Sequence, residues 1–306
     1  MKIMKKLVFL FAMFTISVNC RANSPVLAQE LAKLSEDEVA SQIHDLFKSP
    51  EGRGILKKQL AAYPTEILAN VLNTKFNATP DSLRGGLIWS FFVLDPPKMV
   101  FSGKEIQAWL VEKINGGLPA GMYYFILTDE SAKAVMGVAK ESMRRVTKAW
   151  SFHDGKQFSL LSAAFLASHG DEEALDLLDS LVEQRDFDSM IDMAYVIPAA
   201  VMSGNEKLIQ KIRDIITTDT RSRSMGNSRP REMSFAQIAA SACSFVIEGF
   251  PPVGSFWNGY PEGMKKKVHD WLKENPTHKI KPDSARVLFS ATPFSTIIPA
   301  FFQAGW

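Results

Sequence analysis

Apolar residues recur at helical spacing through most of the chain, and the segment 160–182, LLSAAFLASHGDEEALDLLDSLV, shows this most clearly. Its first half is almost entirely apolar or small and stops at Gly170, which predicts a buried helix ended by glycine. Its second half has apolar residues at i, i+1, i+3, i+4, i+7 and i+8, which predicts an amphipathic helix. The stripe comprises Ala174, Leu175, Leu177, Leu178, Leu181 and Val182. The two halves together predict a helical hairpin.

The same pattern returns 34 residues later in the segment 195–216, YVIPAAVMSGNEKLIQKIRDII. Gly204 takes the place of Gly170, and Asn205 takes the place of Asp171. The corresponding stripe is Leu208, Ile209, Ile212, Ile215 and Ile216, with Lys211 in place of Leu177 as its one departure. A period of this length is that of one helical hairpin, which buries its apolar face only against a neighbour. The sequence therefore predicts stacked hairpins.

Further helices follow from the same spacing, and no segment predicts a strand. One helix begins at Lys104 and has the stripe Ile106, Trp109, Leu110 and Ile114. The segments 26–48 and 54–73 predict two pairs near the N-terminus, and 234–249 with 263–275 predicts another pair. These elements predict an all-α fold of about seven helical hairpins.

The segment 160–216 resembles helical-hairpin repeats of the HEAT and armadillo type. Its part SHGDEEALDLLDSLV also resembles the turn and second helix of a tetratricopeptide repeat, although the tryptophan, tyrosine and late-proline positions of that repeat are not filled. Pro198 in the predicted first helix suits the HEAT pattern, in which such a proline is frequent; elsewhere it costs about 3 kcal/mol. The resemblance implies a right-handed α-α superhelix, or solenoid, whose concave side binds a partner. It brings no catalytic residues.

The first 22 residues are predicted to be an export signal. Three lysines precede the apolar run 7–18, whose twelve residues are too few to span a bilayer, since a spanning helix takes about 20. Two cleavage sites stay open: an ordinary one after Ala22, and one before Cys20 in ISVNC, which resembles a bacterial lipoprotein box except for Asn19. Lipidation of Cys20 would be the only link to a membrane. The remainder, 23–306, is predicted to be one α-solenoid domain.

Removal of the signal decides the charge and the cysteine chemistry. Of 35 basic and 33 acidic residues, cleavage before Cys20 removes three lysines and no acid, which leaves 32 against 33 and a net charge of −1. Such a protein has no general attraction for nucleic acid. Cys243 is the one cysteine besides Cys20, so no disulfide is expected in the exported chain. Its small and apolar neighbours predict a buried, inert thiol.

Common enzyme signatures are absent from the sequence: there is no phosphate-binding GxxxxGK[ST], no GxGxxG, no HExxH, no GxSxG and no paired CxxC. His153 and His169 each lie within two positions of an aspartate near successive predicted turns. A shared metal or acid-base site and two solvated turn residues are both open interpretations. We expect no enzyme, no catalytic residue, no metal and no cofactor.

Two segments are candidate binding sites. The run 218–232, TDTRSRSMGNSRPRE, predicts a loop between hairpins, and guanidinium groups there would bind phosphates, acidic glycans or acidic protein tails. Its arginines are Arg221, Arg223, Arg229 and Arg231. The segment 249–263, GFPPVGSFWNGYPEG, contains four aromatic residues that would stack on sugars or anchor a partner protein. These are Phe250, Phe256, Trp257 and Tyr260. The alternatives are a solvated linker for the first segment and a cover over the helix ends for the second.

The helix predicted after this aromatic segment has a basic outer face. Its apolar stripe is Met264, Val268, Trp271 and Leu272. Lys265, Lys266 and Lys267 lie outside that stripe, and we expect them to be solvated.

These features favour an exported helical-repeat protein that acts as a protein-protein binding scaffold in the bacterial envelope, either periplasmic or lipid-anchored. Its partner would be another protein, contacted by the concave side and the segment 249–263. Two alternatives stay open: an all-α enzyme acting on envelope or dietary polysaccharide, and a purely structural lipoprotein. An enzyme needs carboxylates that face a closed, aromatic-lined pocket. The acids Asp171, Glu172 and Glu173 instead lie at a predicted turn.

Overall fold

The computed structural model describes residues 65–93, 98–117, 121, 123–145, 157–183, 190–220, 222–225, 231–253, 263–281, 284, 285 and 288. The chain divides into two compact units, Met1–Val100 and Phe101–Trp306. In the described ranges the protein is almost wholly helical, with ten α-helices, two short 3-10 helices and one β-hairpin. The predicted all-α class is confirmed at this level. The predicted signal, with Cys20, and the segment 26–48 lie outside the described residues.

The described part of the first unit is one pair of packed helices, α1 (Thr65–Ala78) and α2 (Asp81–Val93). The buried residues of α1 follow the helical period, and they are Leu68, Val71, Leu72 and Phe76. Arg84 joins the two helices, because its Nε donates to the carbonyl oxygens of Phe76 and Thr79 at 3.2 and 3.1 Å. The part of the predicted segment 54–73 that follows Pro64 lies in α1, and the part before it lies outside the described residues.

The second unit contains the remaining α-helices and the hairpin, after a 3-10 helix at Lys98–Phe101. The elements are α3 (Lys104–Asn115), a 3-10 helix (Tyr123–Ile126), α4 (Asp129–Met143), α5 (Gln157–Ser168), α6 (Glu172–Glu183), α7 (Met190–Met202), α8 (Glu206–Thr218), β1 (Ser222–Met225), β2 (Arg231–Ser234), α9 (Phe235–Val246) and α10 (Met264–Glu274). The predicted stripe of α3 is buried at all four positions. No helix in the described ranges is long and apolar enough to cross a membrane.

Buried Gln107 connects the elements at the start of this unit. Its Nε2 donates to the carbonyl oxygens of Phe101 and Ile126 at 2.8 and 2.9 Å. Its Oε1 accepts from the backbone N–H of Thr128 at 2.9 Å. These three hydrogen bonds are buried or partly buried, so the Gln107 side chain fixes α3 against the start of α4.

Three helix pairs, α5/α6, α7/α8 and α9/α10, pack so that like helices are neighbours. We call α5, α7 and α9 the inner row, since α7 packs against both of the others. We call α6, α8 and α10 the outer row, in which α8 packs against both of the others. Within the first two pairs each helix also packs against its own partner, as a hairpin requires.

The turns of the first two pairs are built alike, as their sequences predicted. Gly170 and Gly204 have φ of +79° and +65°, a region that glycine adopts without strain. Asp171 accepts a hydrogen bond from the N–H of Ala174 at 3.1 Å, so it caps α6. Asn205 caps α8 through the N–H groups of Lys207 and Leu208, at 3.1 and 3.2 Å. Glycine stop and polar cap are therefore confirmed in both turns.

The inner row is buried on every side within the described residues. All side chains in 160–167, 194–202 and 235–243 are buried. The outer row differs, because each of its helices buries one stripe and exposes the opposite face. In these ranges the inner row therefore forms the interior of the unit.

The arginine-rich segment contains a β-hairpin, which the sequence analysis did not predict. Ser222–Met225 and Arg231–Ser234 pair antiparallel, with Ser222 opposite Ser234 and Met225 opposite Arg231. Strands of serine, arginine and methionine have neither an apolar alternation nor a high strand propensity, so the pattern gave no signal. Their backbone groups pair with each other, and this pairing leads directly into α9, whose cap is Ser234.

Candidate binding surface

The exposed faces of α6, α8 and α10 are rich in charged and polar residues. On α6 the exposed residues are Glu172, Glu173, Asp176, Ser180 and Glu183. On α8 they are Glu206, Lys207, Gln210, Asp214, Thr217 and Thr218. On α10 they are Lys265, Lys266, Lys267, Lys273 and Glu274. The predicted solvation of the three consecutive lysines is confirmed, as is burial of Val268 and Leu272 beneath them.

Charge changes sign from one end of this surface to the other. The α6 sequence, EEALDLLDSLVE, has five acidic residues and no basic one. The α10 sequence, MKKKVHDWLKE, has four lysines against two acids. Helix α8 lies between them and carries both signs on its exposed face. A helical surface that is acidic at one edge and basic at the other attracts a partner with the opposite arrangement.

Ion pairs fasten the beginning of α6 to α4. Lys140 lies 2.8 Å from Asp171, and Arg144 donates two hydrogen bonds of 3.1 Å to Glu173. Partial burial disfavours the ionised Asp171, but hydrogen bonds from Lys140 and from the Ala174 N–H outweigh it, so the pKa of this carboxyl is lowered. The hydrogen bond from Arg144 likewise lowers the pKa of Glu173. The acids at this turn, which sequence placed correctly, act as caps and ion-pair partners.

Lys211 fastens α8 to α6, and this explains the one mismatch between the two hairpin stripes. Its Nζ lies 2.5 Å from Asp179 and 2.6 Å from Glu183. The hydrogen bond to Asp179, followed by that to Glu183, raises the pKa of Lys211. A leucine at position 211 would make only non-directional apolar contacts with α6. The lysine instead fixes the register of the two helices, because it pairs with both carboxylates.

Arg213 is the buried charge of the outer row, and its side chain is 4% exposed. It points from α8 to the end of α10, where it donates to the carbonyl oxygens of Asn275 and Pro276. The final carbonyls of a helix carry partial negative charge, so a cation stabilises them. The guanidinium also lies 5.9 Å from the centre of the Trp271 ring. Burial lowers the pKa of Arg213.

His278 completes this clamp and must be neutral to do so. Its Nδ1 lies 2.9 Å from Nη1 of Arg213. A guanidinium can only donate, so Nδ1 accepts and carries no proton. Burial, followed by the charge of Arg213, lowers the pKa of His278.

The residues after α10 are also tied to α9. Ile247 and Ile280 form an antiparallel bridge, and the N–H of Lys281 donates to Val246 O at 2.7 Å. Lys281 Nζ donates to Ser244 O at 2.9 Å. The clamp and these bonds hold α10 on the unit although it follows a long connection. The role of Arg213 was not predicted from the sequence. The one indication there is that an arginine lies next to the apolar stripe, between Ile212 and Ile216.

Of the predicted aromatic site, the structure describes Phe250. Its side chain is 5% exposed and its ring centre lies 5.0 Å from that of Trp271. Phe250 is thus not an exposed binding residue but part of the cover over α10, because burying its ring removes apolar area from water. Phe256, Trp257 and Tyr260 lie outside the described residues, so both interpretations stay open for them.

The predicted arginine site falls partly within the hairpin. The structure describes the backbone of Arg223, in β1, and of Arg231, in β2, while their side chains and the whole of Arg221 and Arg229 lie outside the described residues. The expectation of a simple loop is corrected by the two paired strands. Anion binding by these arginines stays a prediction.

Cys243 and His169 are both described, and neither forms a reactive cluster. Cys243 is a free, buried thiol, as predicted, and burial raises its pKa to about 12. His169 is exposed at the turn before α6, where Nδ1 lies 2.9 Å from Phe165 O, while His153 lies outside the described residues. No group of three or more His, Cys, Asp or Glu side chains suited to a metal occurs in the described ranges.

Comparison of the chain with protein-family models, with curated proteins and with solved structures finds no match.

Proposed function

We propose that this chain is an exported helical-repeat protein, built as a right-handed stack of helix pairs, that acts as a protein-binding scaffold in the bacterial envelope. The observation that carries the proposal is the outer row: three neighbouring helices whose exposed residues change from acidic on α6 to predominantly basic on α10. The contact surface is this face together with the segment 249–263, which leads into α10.

Rigidity of the outer row supports a scaffold role. Lys140 and Arg144 fix α6 to α4, Lys211 fixes α8 to α6, and Arg213 fixes the end of α10 to α8. A surface held in one arrangement loses little conformational entropy when a partner binds, so more of the contact energy appears as affinity. The inner row gives these helices a fixed base, since its side chains in 160–167, 194–202 and 235–243 are all buried.

Affinity capture from the cell-envelope extract tests this function. The bait is the chain as processed by its own export pathway, compared with a variant carrying Glu172→Lys and Asp176→Lys and with a second carrying Trp257→Ala and Tyr260→Ala. A matched control carries Lys104→Glu and Lys133→Glu, two exposed positions on α3 and α4.

We expect a protein captured at near-stoichiometric yield by the wild type and the control, and lost from the Glu172/Asp176 variant. Loss in the Trp257/Tyr260 variant would add the aromatic segment to the contact surface. Equal yield from wild type and the Glu172/Asp176 variant, or no enriched protein at all, would contradict a scaffold that works through the outer row.

A further inference from the structure

We propose that the partner of the outer row is a second copy of this chain, bound about a two-fold axis that lies in the interface parallel to α8, so that acidic α6 of each copy faces basic α10 of the other. This rests on the proposed function and names the partner of the same surface. The order of the three helices carries the proposal, because α8 packs between α6 and α10. A two-fold rotation about an axis parallel to α8 therefore places α6 of one copy opposite α10 of the other.

A graded surface of this kind is self-complementary only in that arrangement. In a two-fold interface, a contact from one residue of the first copy to another residue of the second copy is accompanied by the same contact with the two copies exchanged. Every favourable contact therefore occurs twice. Placing α6 against α6 would oppose five acidic residues with five more. The two-fold axis parallel to α8 instead brings opposite charges together at both edges of the contact.

Charges that form no ion pair with another described residue are available at both edges. Glu172 and Asp176 on α6 are exposed and form no ion pair within the described ranges. On α10 the same holds for Lys265 and Lys267, whereas Lys266 lies 2.5 Å from Asp270 while its side chain remains 82% exposed. Pairing across an interface would satisfy the unused charges. The sequence as a whole is near neutrality, with a formal charge of +2, so two copies repel each other little.

The size of the surface sets the strength of the dimer. Helices of 11 to 13 residues are roughly 16–20 Å long, and packed helices lie about 8–10 Å apart. The row therefore offers roughly 500 Å² per copy, or about 1,000 Å² in total, at the low end of specific interfaces. We expect a reversible dimer that is favoured by low salt and dissociates as salt screens the charges.

Sedimentation velocity on the purified full chain measures this directly. The first variant carries Glu172→Lys and Asp176→Lys, which reverses the charge at two exposed acidic positions of α6 and leaves this helix with three acids and two lysines. The second carries Lys266→Glu and Lys267→Glu and is acidic at both edges. Acids near the beginning of α10 suit the helix dipole, so the second variant is not expected to lose helix stability. The control is again Lys104→Glu with Lys133→Glu.

We expect the wild type and the control to dimerise at low salt and to dissociate in about 1 M NaCl, where screening acts beyond about 3 Å. Each edge variant should associate at least about tenfold more weakly, because every substitution acts twice in the interface. An equimolar mixture of the two edge variants should recover the dimer, since the lysines introduced on α6 of one variant then face the glutamates introduced on α10 of the other, while the second edge of the contact keeps its original charges. Recovery also shows that both variants are folded.

Three results would overturn the proposal: a wild type that stays monomeric at about 0.5 mM in low salt, edge variants that dimerise as well as the wild type, or a mixture that recovers no dimer. A monomeric wild type that still captures another envelope protein through Glu172 and Asp176 would reject self-association and leave the scaffold function standing. A monomeric wild type that captures nothing would reject both.

Discussion

Helices of the inner and outer rows alternate along the chain, yet they differ in how much of their surface is buried. The inner helices α5 and α9 contain no charged residue, and all their described side chains from 160 to 167 and from 235 to 243 are buried. The outer helices bury a single stripe and are held to one another by charged side chains. The comparison shows that the inner helices lack a separate apolar stripe because they are apolar or small all round. Such a helix is packed on every side.

Small residues allow the inner helices to be packed in this way. Alanine and serine recur through α5 and α9, and short side chains let helix axes approach closely without voids. The outer row needs no such composition, because its exposed face is solvated. Stability should therefore be most sensitive to volume in the inner row and to specific hydrogen bonds in the outer row.

The largest expected effect comes from removing volume in the inner row. Ile197 in α7 is fully buried, whereas Ile215 in α8 is half-buried. Ile197→Ala should lower the free energy of unfolding by about 2–5 kcal/mol, because it leaves a cavity. Ile215→Ala should cost about 1 kcal/mol, in proportion to the smaller area lost. Urea denaturation measures both, and equal losses would mean that the two rows do not differ as described.

A smaller but still large effect is expected at the clamp in the outer row. Arg213→Met should cost about 2 kcal/mol, since it leaves the carbonyls of Asn275 and Pro276 and the ring of His278 without their donor. Lys211→Met on the same helix removes the same charge from a partly exposed pair and should cost less than about 1 kcal/mol. If the two variants are equally stable by denaturation, burial of Arg213 contributes nothing to the attachment of α10.

The smallest effect is a dependence of stability on pH through His278. Folding favours its neutral ring, so its contribution is complete above the ordinary histidine pKa of about 6.5 and is lost as pH falls from there through the lowered value. His278→Asn keeps an acceptor for Arg213 but does not titrate. Between pH 7.5 and pH 5 the wild type should therefore lose more unfolding free energy than this variant. Parallel curves for the two proteins would show that His278 does not sense pH.

Helix positions, turns and caps could be read from the sequence because they depend on neighbours along the chain. The stripe of α3, the glycine stops at Gly170 and Gly204, and the caps Asp171 and Asn205 all lie within a few residues of the groups they serve. The lysine that interrupts the second stripe was visible as an anomaly, but its reason was not. Its partners Asp179 and Glu183 belong to another helix.

By itself the sequence determined the turns at Gly170 and Gly204 and the apolar stripes of the helices beside them, because these follow from local period, propensity and capping. Only the tertiary structure decided that the inner row is enclosed, that Phe250 covers α10, and that β1 pairs with β2. It also decided the role of Arg213, whose partners lie 62 to 65 residues further along the chain. A local pattern shows that a residue can be buried, but its partner depends on which distant segments the packing of the whole unit brings together.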